Sequence, residues 1–182
     1  LRIAMVFMTY PVASETFASR DVAALKRMGH VVDIHQLYPR AGGASRFNAI
    51  LDVFRSFLAF PAKGNIFKLA LKLLFTGSWR LADRVKCLLL LGAAVRISEQ
   101  LVKTRPDVVH LFWGHYPALV LPLLRGLLPQ TRRSMFLGAY DLEKKLPLSR
   151  WAYAESAVLF THARVNVKSI QQFLGHDAAP VV

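Results

Sequence analysis

Four short segments hold most of the groups able to do chemistry: YPVASET (10–16), WGHY (113–116), GAYD (138–141) and THAR (161–164). Each follows an apolar run, so each lies where a loop would project it from the end of a strand. The residues on offer are Ser14, Glu15, Thr16, Trp113, His115, Tyr116, Tyr140, Asp141, His162 and Arg164, with His110 inside the preceding run VVHLFW. In an open α/β sheet, ligands bind just beyond the carboxyl ends of the strands. These eleven side chains are therefore the predicted lining of a polar cleft. For His110, between Val109 and Leu111, a buried hydrogen-bonded structural role is the default. His115 follows a glycine in a loop, where ligand contact is the more natural reading. Asp141 is open between capping the helix that follows it and binding a ligand hydroxyl.

Several chemistries are excluded. There is no G-x-G-x-x-G dinucleotide fingerprint, no Walker pattern and no G-x-S-x-G nucleophile elbow. The six histidines never fall at metal-ligand spacing on one helix face. The lone Cys87 rules out an internal disulfide framework.

The elements that must position the four segments follow from periodicity. Arg2–Thr9 (RIAMVFMT) is a near-continuous apolar run, as expected of a strand buried on both faces of a parallel sheet. Ser14 is the predicted cap of a helix carrying Phe17, Val22, Leu25 and Met28 and stopped by Gly29. Val31–Leu37 is a second strand, ended by Pro39. Further strands are predicted at Val108–Trp113, Ser134–Leu137 and Ala157–Thr161, with helices over 116–128 and over Val165–Leu174, the latter closed by Gly175. At 182 residues, 54% of them apolar, the chain suits one well-buried domain. The predicted fold is α/β: a Rossmann-like, doubly wound parallel sheet covered on both sides, in one domain over 1–182 with a basic helical insertion at about 44–105. The opening at Leu1 and the closing APVV (179–182) read as cuts from a longer protein.

The insertion holds much of the charge. Between Arg40 and Arg105 there are twelve Lys/Arg and three acids, nine of the thirteen net positive charges. Its apolar stripes are Phe47, Ile50, Leu51, Phe54, Phe57 and Leu58, then Ile66–Phe75, then Trp79–Lys103. The run CLLLLGAAV (87–95) falls far short of the roughly 20 residues that cross a bilayer, so these are predicted amphipathic helices. Lys63, Lys68, Lys72, Arg80, Arg84 and Lys86 are the candidate contacts to an anionic membrane surface. The alternative is an ordinary solvated face. No nucleic-acid-binding module is recognisable.

YPVASETF (10–17), ALKRMGHVVDIHQLYPR (24–40), PDVVHLFWG (106–114), FLGAYDL (136–142) and THARVNVKSI (161–170) together resemble the N-terminal domain of family-4 retaining glycosyltransferases of the GT-B fold, bacterial exopolysaccharide type. The resemblance covers both ends of the chain and covers 41–105 poorly. It implies the acceptor-binding half of a sugar-nucleotide-dependent transferase for polysaccharide or glycolipid synthesis. Its partners would be a sugar or lipid-linked acceptor and a C-terminal domain holding the nucleotide-sugar donor. This half would bind no cofactor or metal, would be inactive alone, and would work in the cytoplasm, peripheral to the membrane's inner face. The competing expectation is a non-catalytic basic α/β module docking on anionic membranes. Two positions depart from the family: Leu137 stands where relatives place a histidine before Gly138, and Phe112 stands where some carry a second histidine after His110. His110, His115 and His162 are left as replacement imidazoles, and the catalytic residue stays unknown at this level.

Overall fold

The computed structural model describes residues 1–38, 55, 57–76, 80–145, 147–174 and 181–182. The stripe Phe47, Ile50, Leu51 and Phe54, together with Pro39, Trp79 and Gly175, lies outside the described residues.

Five strands form one all-parallel sheet: β1 (Arg2–Phe7), β2 (Val31–Gln36), β3 (Val108–Phe112), β4 (Arg132–Phe136) and β5 (Val158–Phe160), in spatial order β2-β1-β3-β4-β5. The expected Rossmann-like α/β architecture is thus the observed one. β1 is an interior strand, with Ile3 opposite Val32 on one side and Val108 on the other. Its burial is nearly complete from Ile3 to Phe7, which is why its sequence does not alternate.

Helices among the described residues include α1 (Thr16–Arg27), α2 (Lys63–Phe75), α3 (Leu81–Thr104), α4 (Val120–Leu123), α5 (Ala139–Lys144), α6 (Pro147–Tyr153) and α7 (Val165–Leu174). Crossovers between parallel strands are right-handed. The step from β1 to β2 runs one way along the sheet, and the steps to β3, β4 and β5 run the other way. Handedness therefore places α1 on one face and the helices of the later crossovers on the opposite face. The core divides accordingly. Ala4, Val6, Val109, Leu111, Met135 and Leu159 pack with Leu69, Leu73, Cys87, Ala94 and Leu121. On the other face, Ile3, Met5, Phe7 and Phe112 pack with Ala18 and Val22 of α1.

Helices flank the sheet on both faces, as expected. Among the described residues α1 leaves an apolar groove of about 430 Å³ beside it, reaching His110, Ser134, Phe136 and Phe160. Two other expectations need correction. The predicted helix over 116–128 is a 3₁₀ turn (Tyr116–Leu119) followed by the single α-turn of α4. Pro122 has no N–H to continue the ladder and its ring crowds the carbonyl of Ala118, and Gly126 (φ 72°) then turns the chain. Ser14 does not cap α1. The Glu15 N–H closes a turn onto the Val12 carbonyl at 2.9 Å, which shifts the helix start to Thr16, and no side chain makes the capping bond.

Candidate functional site

The strand order reverses at β1, whose two neighbours are reached by crossovers leaving in opposite directions. A crevice opens at such a switch point beyond the carboxyl ends of the strands. Here it is a cleft of about 370 Å³ lined by Met8, Glu15, Lys86, Trp113, His115, Tyr116 and Tyr140.

His115 is the best-defined group in it. Its Nδ1 donates to Asp141 Oδ1 at 2.9 Å, and the Asp141 side chain is fully buried. The second carboxylate oxygen, Oδ2, accepts the Gly138 N–H at 3.0 Å, and the Asp141 N–H returns to the Gly138 carbonyl. Asp141 thus caps α5 from inside its first turn and holds the imidazole as well. With Nδ1 committed, the ring in its neutral form has Nε2 as its acceptor, and His115 lines the cleft. This is the arrangement in which a histidine is oriented by a buried carboxylate. Of the two roles open for Asp141, capping is observed, and its burial keeps it from direct ligand contact.

The strand–loop junction that carries His115 is tight. Trp113 takes a left-handed backbone (φ 94°), an unusual conformation for a bulky residue that costs about 1–3 kcal/mol. Its indole Nε1 is buried and finds no partner among the described residues. Ser149 on α6 donates to the Gly114 carbonyl at 2.6 Å and pins the next residue. Phe17, Phe112 and Phe136 surround the indole at 6.0, 5.8 and 5.4 Å between ring centroids. An unpaired buried donor on a strained backbone is the signature expected of a functional position.

Tyr116 forms the far wall. Its hydroxyl donates to Asp83 Oδ1 on α3 at 2.9 Å, and burial, with Asp83 beside it, pushes the phenol well above its usual range. Lys86 Nζ sits 4.3 Å from the Tyr116 ring centroid.

Of the eleven predicted residues, Glu15, Trp113, His115, Tyr116 and Tyr140 meet at the cleft, with Asp141 behind them. Ser14 and Thr16 flank Glu15 and are exposed. His110 lies elsewhere, in the sheet-face groove, with Nδ1 2.9 Å from Ser134 Oγ. His162 stacks on Phe136 at 5.6 Å, and Arg164 is exposed beyond β5. Lys86, predicted for the membrane surface, belongs to the cleft. The missed signal was Asp83: it shares the helical spacing of the buried Cys87 and Leu90, and an inward carboxylate needs a partner and marks the helix face beside it. Arg84, also predicted for the surface, donates to the Leu74 and Thr76 carbonyls at 2.6 and 2.8 Å and closes the end of α2. Lys72 lies over the Trp151 ring. No protein-family model matches the chain, and no curated protein does. Among the described residues no group of three or more His, Cys, Asp or Glu is placed to hold a metal ion.

Burial lowers the His110 imidazole to about 4, and burial also lowers His35. Burial favours the neutral form of both rings in the folded chain, whereas the unfolded chain protonates them near pH 6.5. The His110 contribution to stability is complete above about pH 6.5 and is lost as pH falls toward 4. Because His110 is only partly buried in an open groove, the cost falls to on the order of 2 kcal/mol. Asp21, across the groove on α1, has its carboxyl raised by burial and works in the opposite sense. A direct comparison isolates the imidazole: the urea midpoint of His110→Asn should fall less than that of the wild type between about pH 7.5 and pH 4.5.

Proposed function

We propose that this domain is the acceptor-binding half of a sugar-nucleotide-dependent glycosyltransferase resembling the family-4, GT-B type, acting in polysaccharide or glycolipid synthesis. The supporting observation is the switch-point cleft, in which one imidazole is fixed by a buried carboxylate between aromatic walls. Trp113, Tyr116 and Tyr140 offer faces for the apolar side of a sugar ring. His115 Nε2 and Glu15 are acceptors for its hydroxyls, and Lys86 is a donor. In this reading His115 serves as the replacement for the histidines that the two departures at Leu137 and Phe112 remove. The nucleotide-sugar would be held by a separate C-terminal domain. The acceptor would be a sugar or a lipid-linked sugar, met at the cytoplasmic face of a membrane. The association in this reading is peripheral, and among the described residues no helix is long and apolar enough to cross a membrane.

Saturation-transfer NMR with methyl glucoside, galactoside and mannoside, beside UDP-glucose and GDP-mannose, tests this reading. At least one methyl glycoside should give signals at millimolar concentration, and His115→Ala should weaken its binding by about tenfold, ~1.4 kcal/mol. The nucleotide-sugars should bind weakly. Low-micromolar binding of a nucleotide-sugar would overturn the division of labour, and silence from every glycoside would overturn the acceptor site.

A further inference from the structure

The α2–α3 hairpin buries only part of its apolar surface. Ile66, Leu69 and Leu73 of α2 face the core, as do Cys87, Leu90 and Ala94 of α3. A second set of large apolar side chains points outward. On α2 these are Phe67 (64% exposed), Leu71, Leu74 and Phe75 (78%). On α3 they are Leu81 (73%), Val85 and Leu89 (78%). With 3.6 residues per turn, Phe67, Leu71 and Leu74 form one stripe and Leu81, Val85 and Leu89 another, each running on the order of 12 Å. The stripes approach each other at the tip of the hairpin. There Arg84 of α3 ties down the Leu74 and Thr76 carbonyls, bringing Leu74 and Phe75 beside the first turns of α3.

Charge identifies the occupant. Residues 55–98 contain Arg55, Lys63, Lys68, Lys72, Arg80, Arg84, Lys86 and Arg96 against a single acid, Asp83. That acid is buried beneath the Tyr116 hydroxyl, so it neutralises nothing at the surface. Lys68 lies on the Leu71–Phe75 row, three and seven residues before those side chains, and Arg80 directly precedes Leu81. Lys63, Lys68 and Arg80 are exposed. The cores of protein–protein interfaces are depleted in lysine, and a two-fold contact between copies would set these like charges against each other. Anionic lipid headgroups accept them, while the apolar stripes enter the acyl boundary and the long basic side chains reach back to phosphate.

We propose that the outer face of the α2–α3 hairpin is a membrane-docking surface, lying in the interfacial layer of an anionic bilayer with Phe67, Leu71, Leu74, Phe75, Leu81 and Leu89 inserted. Docking is independent of what the cleft binds. Flotation of the full chain with vesicles of phosphatidylcholine alone, and with about a third phosphatidylglycerol, tests it. Binding should require the anionic lipid and should weaken as salt is raised. Phe75→Asp with Leu89→Asp should reduce partitioning at least about tenfold, with thermal melting unchanged because both side chains are exposed. Lys68→Glu with Arg80→Glu, also exposed, gives a second variant that should bind weakly and lose its salt dependence. Equal flotation of wild type and Phe75→Asp/Leu89→Asp would overturn the proposal. So would wild type that ignores anionic vesicles, or that binds neutral ones equally. Sedimentation velocity adds a last outcome: an oligomer dissolved by the aspartates, without vesicle binding, would make this face a contact between copies and overturn the membrane.

Discussion

Asp141→Ala should lower stability by about 3 kcal/mol, because it leaves two buried donors without an acceptor. For a domain of this size that corresponds to roughly 6–12 °C in the thermal midpoint. The His115 ring loses the partner that orients it, and Gly138 loses the bond that starts α5. Asp141→Asn is the more informative substitution. A carboxylate offers two acceptor oxygens, and both are used. Asparagine offers one oxygen and one NH₂. If its oxygen keeps the Gly138 N–H, its NH₂ faces His115 Nδ1, and that nitrogen must become the acceptor. The proton then moves to Nε2, and the group presented to the cleft changes from acceptor to donor. The expected result is a stability loss of only about 1 kcal/mol together with an inverted tautomer, read from the ¹⁵N shifts of the ring. Glycoside binding should fall with the inversion although the fold persists. An Asn variant that retains the Nδ1–H tautomer would show that Asp141 does not set it.

The fold was legible because its determinants are local. The continuous apolar run of β1, the glycine after α1 (Gly29, φ 80°) and the Pro106 that follows α3 each mark a boundary by a mechanism confined to a few residues. Where a local signal met a competing one it misled. Ser14 is a good cap by type, but a turn from Val12 to Glu15 takes precedence. The apolar run after Tyr116 reads as one helix until Pro122 is weighed against it. The cleft was legible at the level of loops. Which loops project beyond the sheet follows from strand order, and five of the eleven predicted residues line the cleft. The pairing of His115 with Asp141 was not legible. It spans 26 residues and depends on the parallel register of β3 with β4, where Leu111 lies opposite Met135 and Phe112 opposite Phe136. Nothing in either segment alone fixes that register. The groove beside α1 was hidden for a related reason. His110, Phe136 and Phe160 alternate as buried strand residues would, and only crossover handedness shows that α1 alone lies on their face among the described residues.

Gly138→Ala should cost about 2–3 kcal/mol, through contact and not through backbone strain. Gly138 has φ −100° and ψ 177°, which any residue can adopt, but an added Cβ would run into the Trp113 ring. The ring has little room to yield. Phe112 and Phe136 stand edge-on to it, Phe17 crosses it at 88°, and its own backbone is held at φ 94°. A double-mutant cycle separates this from a general loss of packing. Trp113→Gly removes the obstructing ring and supplies the one residue that adopts a left-handed backbone without strain. In that background Gly138→Ala should cost under about 0.5 kcal/mol, a coupling on the order of 2 kcal/mol. The cycle also bears on the cleft. Trp113 supplies an aromatic wall of the cleft, so Trp113→Gly should abolish glycoside signals even if its melting point stays close to that of the wild type. Gly138→Ala displaces the same ring and should weaken binding in proportion to that displacement. Equal costs of Gly138→Ala in the two backgrounds, measured by urea unfolding, would mean that the glycine is required for something other than the indole.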